Sequence, residues 1–474
     1  MNMRIESDSI GTLAVPEDAY YGIQSLRAKN NFSITGHPLH SEFIKSLATI
    51  KKAAAITNQQ AGLLPVNIAA AIEQACDEII SGKLHDSFIV DSIQGGAGTS
   101  ANMNANEVIA NRAIELLGGH KGNYSIVHPN DHVNMAQSTN DVVPSAGKLT
   151  ILSLLPGTIH ELKRLQAAMM KKSKEFDSIL KMGRTQLQDA VPMRLGQSFH
   201  AYSSVIERDI RRLHHVLDEV SSLNMGATAI GSAINVSSFY LTHIVPVLNS
   251  LTSFDCSQAD DLFDATQNLD GFVQVSACLK TCAVTLSKIC NDLRLLSSGP
   301  KTGIAEIHLP AKQNGSSIMP GKVNPVIPEV VSQVAFHIIG NDTTITLAAE
   351  AGQLELNAFE PVLFYRLFES IETLKNAAAT LTDNCITGIT ADKARCEELL
   401  SSSVGISTAL CPYIGYKKAA ALAKESLRTN TPLRELVLQE TDLTTQDLSV
   451  ILDPLRMTMP AVKRMERPLS VAGL

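Results

Sequence analysis

The 474-residue sequence lacks tryptophan altogether, and aromatic residues make up only 4% of it. Side chains that stack on nucleic-acid bases are therefore scarce. Positive charge is not in excess either, because 40 Lys and Arg stand against 47 Asp and Glu, for a formal net charge of −7. Since phosphate backbones are bound by a basic face, we do not expect a nucleic-acid partner.

Export and membrane signals are also missing from the sequence. No uncharged apolar run reaches membrane-spanning length, and the N-terminal segment MNMRIESDSIGTL has no apolar signal core. The eight cysteines form no Cys-x-x-Cys pair, which favours reduced thiols. Apolar residues amount to 45%, enough for a large core. We therefore predict a large, slightly acidic, globular, cytoplasmic protein with no membrane partner.

Five long segments place apolar residues at the spacing of an α-helix. They cover approximately residues 149–180, 196–223, 260–296, 324 to beyond 340, and 360–385. Because 30 helical residues extend about 45 Å, these segments predict a rod-like five-helix bundle. The third segment is apolar around most of its circumference, so we expect identical bundles from other subunits to bury its outer face.

The predicted bundle divides the chain into three domains. A mixed, mainly helical domain is expected at residues 1–138, the bundle at 139–395, and a small helical domain at 396–474. The predicted fold class is therefore mainly α.

Residues 314–325, with the sequence NGSSIMPGKVNP, carry the densest set of reactive groups. They include the hydroxyls of Ser316 and Ser317 and the positive charge of Lys322, just before a helix start at Asn324-Pro325. A helix N-terminus favours an anion, and a nearby positive charge helps a serine to lose its proton. The structural alternative is a flexible surface turn, but the prolines on both sides favour a functional loop.

Two more polar segments lie just before predicted helices. The run GGAGTS ends in Thr99 and Ser100, and it matches neither a P-loop nor a dinucleotide-binding motif. The run QSTND contains Ser138, Thr139 and Asn140. Each segment supplies hydroxyl and backbone donors for a carboxylate, although a simple helix cap explains either one alone.

A fourth polar segment, GRTQLQDA at residues 183–190, contains Thr185 and Gln186 between two bundle helices. A polar loop between helices and a functional segment explain it equally well. Taken together, the four segments offer neutral donors and one lysine, a set that suits a small dicarboxylate better than phosphate. His128 and His132 are four residues apart, but Pro129 between them makes a helical metal pair improbable.

The run GSSIMPGKVNP closely resembles the signature of the aspartase/fumarase superfamily, and the resemblance extends over essentially the whole chain. Further matching runs are GRTQLQ, NDLRLLSSGP, VNPVIPE and GNDTT. Within the superfamily, the chain resembles the aspartate ammonia-lyase family. Class II fumarases typically have histidine where this chain has Gln186, and VNPTQ where it has VNPVI.

The resemblance implies reversible elimination of ammonia from L-aspartate to give fumarate, without a cofactor. Ser316, as an oxyanion, is the expected base that removes the proton beside the β-carboxylate. Lys322 and Asn324 are expected to hold the α-carboxylate, and Lys322 also to favour ionised Ser316. Asn140 and Gln186 are expected to contact the amino group, whose departure needs no strong acid.

The doubly charged enediolate formed by this proton loss has to be stabilised by the enzyme. The resemblance places Thr99, Ser138, Thr139 and the backbone at Ser317 around the β-carboxylate. Ser100 and Thr185 complete the expected substrate-binding set.

The resemblance also implies a homotetramer whose central domains form a twenty-helix core, with each active site shared by three subunits. We expect Thr99, Ser138 and Ser316 to come from three different subunits, because one rod cannot easily bring them together. Alternatives are a class II fumarase, lyases of adenylosuccinate or argininosuccinate, a non-catalytic structural protein on the same scaffold, as among lens crystallins, and a ligand-binding regulator that uses the same pocket.

Overall fold

The computed structural model describes residues 2–459, and most of them are helical. The predicted mainly α class is confirmed. The α-helices are α1 Ile23–Asn31, α2 Ser41–Gln60, α3 Val66–Ile80, α4 Thr99–Leu116, α5 Thr139–Glu175, α6 Leu195–His215, α7 Ser238–Leu251, α8 Leu262–Gln267, α9 Asp270–Leu296, α10 Val326–Glu350, α11 Glu360–Asn384, α12 Lys393–Ser402, α13 Cys411–Ile414, α14 Tyr416–Thr429, α15 Leu433–Glu440, α16 Thr445–Ile451 and α17 Pro454–Met457.

Short strands pair two by two between these helices. They are β1 Met3–Ser7 with β2 Thr12–Pro16, β3 Leu180–Thr185 with β4 Gln188–Arg194, β5 Ser222–Leu223 with β6 Ser257–Gln258, and β7 Ile307–His308 with β8 Thr390–Ala391. The β5–β6 pair is parallel, and the other pairs are antiparallel.

The five predicted long segments all contain long helices, although their ends differ from the prediction. Helix α5 begins at Thr139 rather than near residue 149, and α6 ends at His215 rather than near residue 223. The predicted helix at 260–296 is broken, because the backbone at Asn268 is extended between α8 and α9. Apolar spacing indicates that a helix has a buried face, and by itself it does not mark where the helix begins, ends or breaks.

The polar segment at 183–190 is part of a β-hairpin and not simply a loop between helices. Strands β3 and β4 are joined by the two residues Gln186 and Leu187, and Thr185 lies opposite Gln188. The segment is therefore a protruding structure held by its own ladder of backbone hydrogen bonds.

The chain forms two compact units. The first unit comprises residues 2–161, 209–284 and 333–377, and the second comprises residues 162–208, 285–332 and 378–459. The predicted three-domain division at 138 and 395 stays a prediction.

The core of the first unit includes the packed helices α2, α3 and α4. Leu47 and Ile50 on α2, Ile72 on α3, and Ile109 and Ile114 on α4 are fully buried. The alanine-rich centre of α2 presents small side chains, which allow neighbouring helices to approach closely. This packing fixes the direction of α4, whose first residue is Thr99.

The second unit contains the β3–β4 hairpin and the C-terminal helices. A separate apolar cluster there is built from Leu410, Ala419, Leu422, Leu433, Leu436, Val437, Leu443, Leu448, Ile451 and Leu452. Elsewhere in the unit, the rings of Phe176 and Phe199 meet edge to face, with centroids 5.2 Å apart.

Helices α5 and α9 are long and apolar enough to cross a membrane by length and composition alone. The apolar stretch of α5 is 72% buried inside the chain and that of α9 is 50% buried. A buried core helix of a globular protein meets the same criteria, so these two helices are weak evidence of a membrane span.

Candidate active site

The start of α4 is shaped by a left-handed turn. Gly96, Ala97 and Gly98 all have positive φ angles, of 86°, 56° and 85°. A Cβ at Gly98 would lie 2.8 Å from Cγ1 of Val143, so a side chain has no room there. The turn leaves Thr99 exposed at the first position of α4, where its hydroxyl donates to the carbonyl of Gly96 over 2.7 Å.

The start of α5 carries three of the predicted binding residues. The amide of Ser138 donates to Oδ1 of Asp141 over 2.8 Å, and the Ser138 hydroxyl accepts the amide of Asn140 over 3.2 Å. The side-chain amide of Asn140 donates to the carbonyl of Ala229 over 2.7 Å. The side-chain oxygen of Asn140, Oδ1, can accept a hydrogen bond, and an ammonium group offers only donors.

The two helix starts lie side by side within the first unit. Gly98 abuts Val143, and Asn102 on α4 donates from Nδ2 to Oγ1 of Thr139 over 3.2 Å. One chain therefore brings together Thr99, Ser100, Ser138, Thr139 and Asn140. The prediction that Thr99 and Ser138 come from different subunits is wrong, because each lies within one helical turn of these contacts.

A buried polar layer beneath α5 was not predicted. Lys51 is fully buried, and its Nζ donates to Oδ1 of Asn134 over 2.8 Å and to Oε1 of Gln137 over 3.0 Å. Oδ1 of Asn134 also accepts Nδ2 of Asn102 over 3.2 Å. The only hint in the sequence was a lysine within the alanine-rich segment of α2.

Burial shifts the pKa values of this layer. Desolvation lowers the pKa of Lys51 to about 7, against the attraction of Asp141. It raises the pKa of the fully buried Asp141 to about 6, although the backbone amides of Ser138, Gly226 and Thr228 donate to this carboxylate. The start of α5 therefore lies over two buried titratable groups, and burial disfavours the charged form of each.

The second unit carries the other predicted site residues, on two separate segments. Thr185 and Gln186 lie at the exposed tip of the β3–β4 hairpin. Gln186 and Leu187 both have left-handed backbones, with φ of 53° and 63°. Residues other than glycine rarely adopt this conformation, and they persist in it only where the surroundings impose it.

Hydrogen bonds join the two ends of the loop at 314–325. The amide of Gly315 donates to the carbonyl of Lys322 over 2.8 Å, and Nδ2 of Asn324 donates to the carbonyl of Gly315 over 2.7 Å. A Cβ at Gly315 would lie 2.7 Å from both the Lys322 oxygen and the Asn324 nitrogen, so only glycine fits. Asn324, expected to hold the α-carboxylate, therefore also ties the base of the loop.

Two backbone amides donate to the hydroxyl of Ser316. Its Oγ accepts the amide of Ile318 over 3.2 Å and the amide of Met319 over 3.0 Å. Amides aimed at an oxygen stabilise its negative form, so the loop favours a serine oxyanion. Ser317 and Lys322 are exposed in the same loop.

Across residues 2–459, no group of three or more His, Cys, Asp or Glu could hold a metal ion. Both rings of the His128–His132 pair are engaged locally, since His128 Nδ1 accepts the amides of Asn130 and Asp131, and His132 Nδ1 accepts the amide of His128.

Comparison with known proteins places this chain in a family. A family model described as lyase matches residues 11–340, and one described as fumarase C C-terminus matches residues 406–459. The chain belongs to the lyase family. An aspartate ammonia-lyase from Bacillus sp is 52% identical over 461 residues, which are 97% of this chain and 98% of the relative.

Two solved structures share the fold over nearly the whole chain. A fumarate lyase:delta crystallin from Brucella melitensis, bound to cobalt, matches with a TM-score of 0.93 at 48% identity and covers 97% of this chain and 100% of its own. A class II fumarase from Schistosoma mansoni matches with a TM-score of 0.94 at 34% identity and the same coverage. The resemblance to the aspartase/fumarase superfamily is confirmed.

Proposed function

We propose that this protein is an aspartate ammonia-lyase, which converts L-aspartate reversibly to fumarate and ammonia. The observation that carries the proposal is the 52% identity to an aspartate ammonia-lyase over 97% of the chain. Gln186 at the hairpin tip, where class II fumarases typically have histidine, points the same way.

Ser316 is the proposed base. Its oxyanion removes a proton from the carbon beside the β-carboxylate and becomes a neutral hydroxyl, while the electron pair moves into the carboxylate to form an enediolate. The amides of Ile318 and Met319 on Oγ support the oxyanion before this step. A base of this kind contributes about 10² to 10⁴ in rate.

The start of α4 and the start of α5 provide the proposed site for the β-carboxylate. Thr99, Ser138 and Thr139 present hydroxyls beside two helix N-termini, and the dipoles of these helices favour a growing negative charge. The backbone at Ser317 is the proposed further donor. These neutral groups stabilise the enediolate more than the substrate, which is the condition for catalysis.

The α-carboxylate is assigned to Lys322 and Asn324. Collapse of the enediolate forms the carbon–carbon double bond and breaks the carbon–nitrogen bond. The substrate nitrogen is protonated, so it leaves as neutral ammonia without an added acid, and the proton on Ser316 returns to solvent. Asn140 and Gln186, neither of which titrates, suit the contact with this nitrogen.

Class II fumarase is the second candidate, supported by the TM-score of 0.94 to the Schistosoma mansoni enzyme. Its 34% identity is lower than the 52% to the Bacillus aspartate ammonia-lyase. Dehydration of L-malate also has a poor leaving group, hydroxide. A titrating histidine can protonate this group, whereas a glutamine cannot.

We further propose a cytoplasmic homotetramer with active sites shared between subunits. Large apolar side chains remain exposed on the long helices, namely Phe336 at 63% and Leu347 at 62% on α10, and Val284 at 52% on α9. Apolar faces of this kind are typical of subunit interfaces. The twenty-helix core would bury them.

One assay tests the proposed reaction. The purified protein is incubated with L-aspartate, with L-malate, and with fumarate plus ammonia, and fumarate is followed by its ultraviolet absorbance. We expect fumarate from L-aspartate and little or none from L-malate. Efficient dehydration of L-malate without deamination of L-aspartate would instead assign a fumarase, and inactivity on every substrate would favour a structural protein.

A further inference from the structure

Glu306 is the fully buried partner of two cations on strand β3. Its carboxylate accepts Nη1 of Arg184 over 2.8 Å and lies 3.0 Å from Nζ of Lys181. The side chains of Lys181 and Arg184 are only 5% and 16% exposed. Because charges out of water attract strongly, this triad fixes the strand against the interior of the second unit.

The backbone of Glu306 is itself firmly held. Its amide donates to the carbonyl of Leu296 at the end of α9, and its carbonyl accepts the amide of Asp392, each over 2.9 Å. The carboxylate therefore offers Arg184 a rigid anchor, and Arg184 directly precedes Thr185 at the hairpin tip.

The residues of the hairpin tip, 185–188, are exposed. Gln186 and Leu187 line a cavity of about 310 Å³, whose other walls include Tyr202 and Lys288. Both tip residues hold left-handed backbones, which are unfavourable for them without support. The outer strand has a separate tie, a 2.7 Å hydrogen bond from Ser403 to Asp189.

We propose that Glu306 is a positioning residue, which holds Arg184 and Lys181 so that Gln186 meets the amino group of the substrate. Glu306 touches no reacting atom and acts only through the hairpin. The inference rests on the proposed function, since it assigns a reacting group to Gln186.

The reverse reaction separates this role from a general structural one. In Glu306→Gln, the KM for ammonia should rise about tenfold, because the contact to nitrogen is misplaced. The KM for fumarate should change less than about threefold, because the residues assigned to its two carboxylates lie on other segments. An equal rise in both KM values with a lowered thermal midpoint would mean that Glu306 only stabilises the fold.

A double-mutant cycle tests whether Glu306 acts through Gln186. Once Gln186→Ala has removed the contact, adding Glu306→Gln should change the KM for ammonia by less than about twofold. If the two effects instead multiply, Glu306 does not act through Gln186 and the proposal fails.

Two variants keep the test decisive. If Glu306→Gln does not fold, Arg184→Lys takes its place. Arg184→Lys keeps the Lys181–Glu306 pair and loses only the guanidinium, so we expect the KM for ammonia to rise and the KM for fumarate to stay nearly unchanged.

The control variant is Glu78→Gln, which breaks the paired contact with Arg112 in the first unit. It should leave the KM for ammonia within about twofold of wild type.

Hydrogen exchange separates failure of this inference from failure of the proposed function. Amides at residues 185–188 should exchange about tenfold faster in Glu306→Gln, whatever the protein catalyses. Faster exchange in a protein without lyase activity would overturn the proposed function and keep the anchor. Unchanged exchange in an active enzyme would overturn the positioning role.

Discussion

Asn102 on α4 donates a hydrogen bond of 3.2 Å from Nδ2 to Oγ1 of Thr139, the first residue of α5. This contact joins the start of α4 to the start of α5, so Thr99 and Ser138 lie close together within the same chain. It changes what mixing experiments between inactive subunits are expected to give.

Thr99→Ala and Ser316→Ala should rescue one another when they are denatured together in equal amounts and refolded. If these residues come from different subunits, random mixing gives about a quarter of the sites both wild-type residues, from half times half. Thr99→Ala mixed with Ser138→Ala should give no rescue, because the helix starts that carry these residues lie side by side in one chain and are proposed to enter the same site. Recovery in the second mixture, or inactivity of a proven hetero-oligomer in the first, would contradict this arrangement.

Ser316→Ala should lower kcat at least about a hundredfold and leave helicity and assembly unchanged. The hydroxyl is the proposed base, and within residues 2–459 its hydrogen-bond partners are the backbone amides of Ile318 and Met319. Steady-state kinetics with circular dichroism checks both parts. Activity within a factor of ten of wild type would exclude Ser316 as the base.

Lys322→Ala should raise KM and lower kcat together. A charged hydrogen bond to a carboxylate contributes about 2 kcal/mol, or roughly 30-fold in affinity, and the loss of positive charge disfavours the serine oxyanion. Separate measurement of KM and kcat distinguishes the two roles. A change in KM alone would show that Lys322 does not support ionisation of Ser316.

Gly315→Ala should reduce activity at least about tenfold, because the new Cβ would lie 2.7 Å from backbone atoms of Lys322 and Asn324. Gly321→Ala is the matched control in the same loop. A Cβ there meets no atom within 4 Å, and its φ of 79° costs an alanine only about 1 kcal/mol. Equal losses in both variants would mean that general loop flexibility, not closure at Gly315, matters.

Asp141 should make stability depend on pH in a defined window. Burial raises the pKa of this carboxyl from 3.8 to about 6, so the folded chain binds a proton more tightly than the unfolded chain. The free energy of unfolding should therefore fall as pH rises from about 4 to about 6, by about 3 kcal/mol per chain. In Asp141→Asn, this part of the slope should disappear from the unfolding profile, whereas an unchanged slope would assign it to other groups.

The mainly α class, the five long helices and the superfamily were predictable from the sequence. Apolar spacing along α5, α9 and α11 is a local property, and so is the run GSSIMPGKVNP. Helix ends were less predictable, as the break before Asp270 shows, because terminal turns depend on capping contacts and neighbouring segments.

The sequence alone determined which residue types the candidate site contains; the tertiary structure decided how they are arranged. Close packing of Gly98 on Val143 joins two helix starts in one chain. Burial shifts the pKa values of Lys51 and Asp141 beneath them. Contacts across many residues, such as Arg184 with Glu306, then hold Gln186 in place. Such contacts leave no periodic pattern in the chain, because they depend on which surfaces meet after the helices have packed.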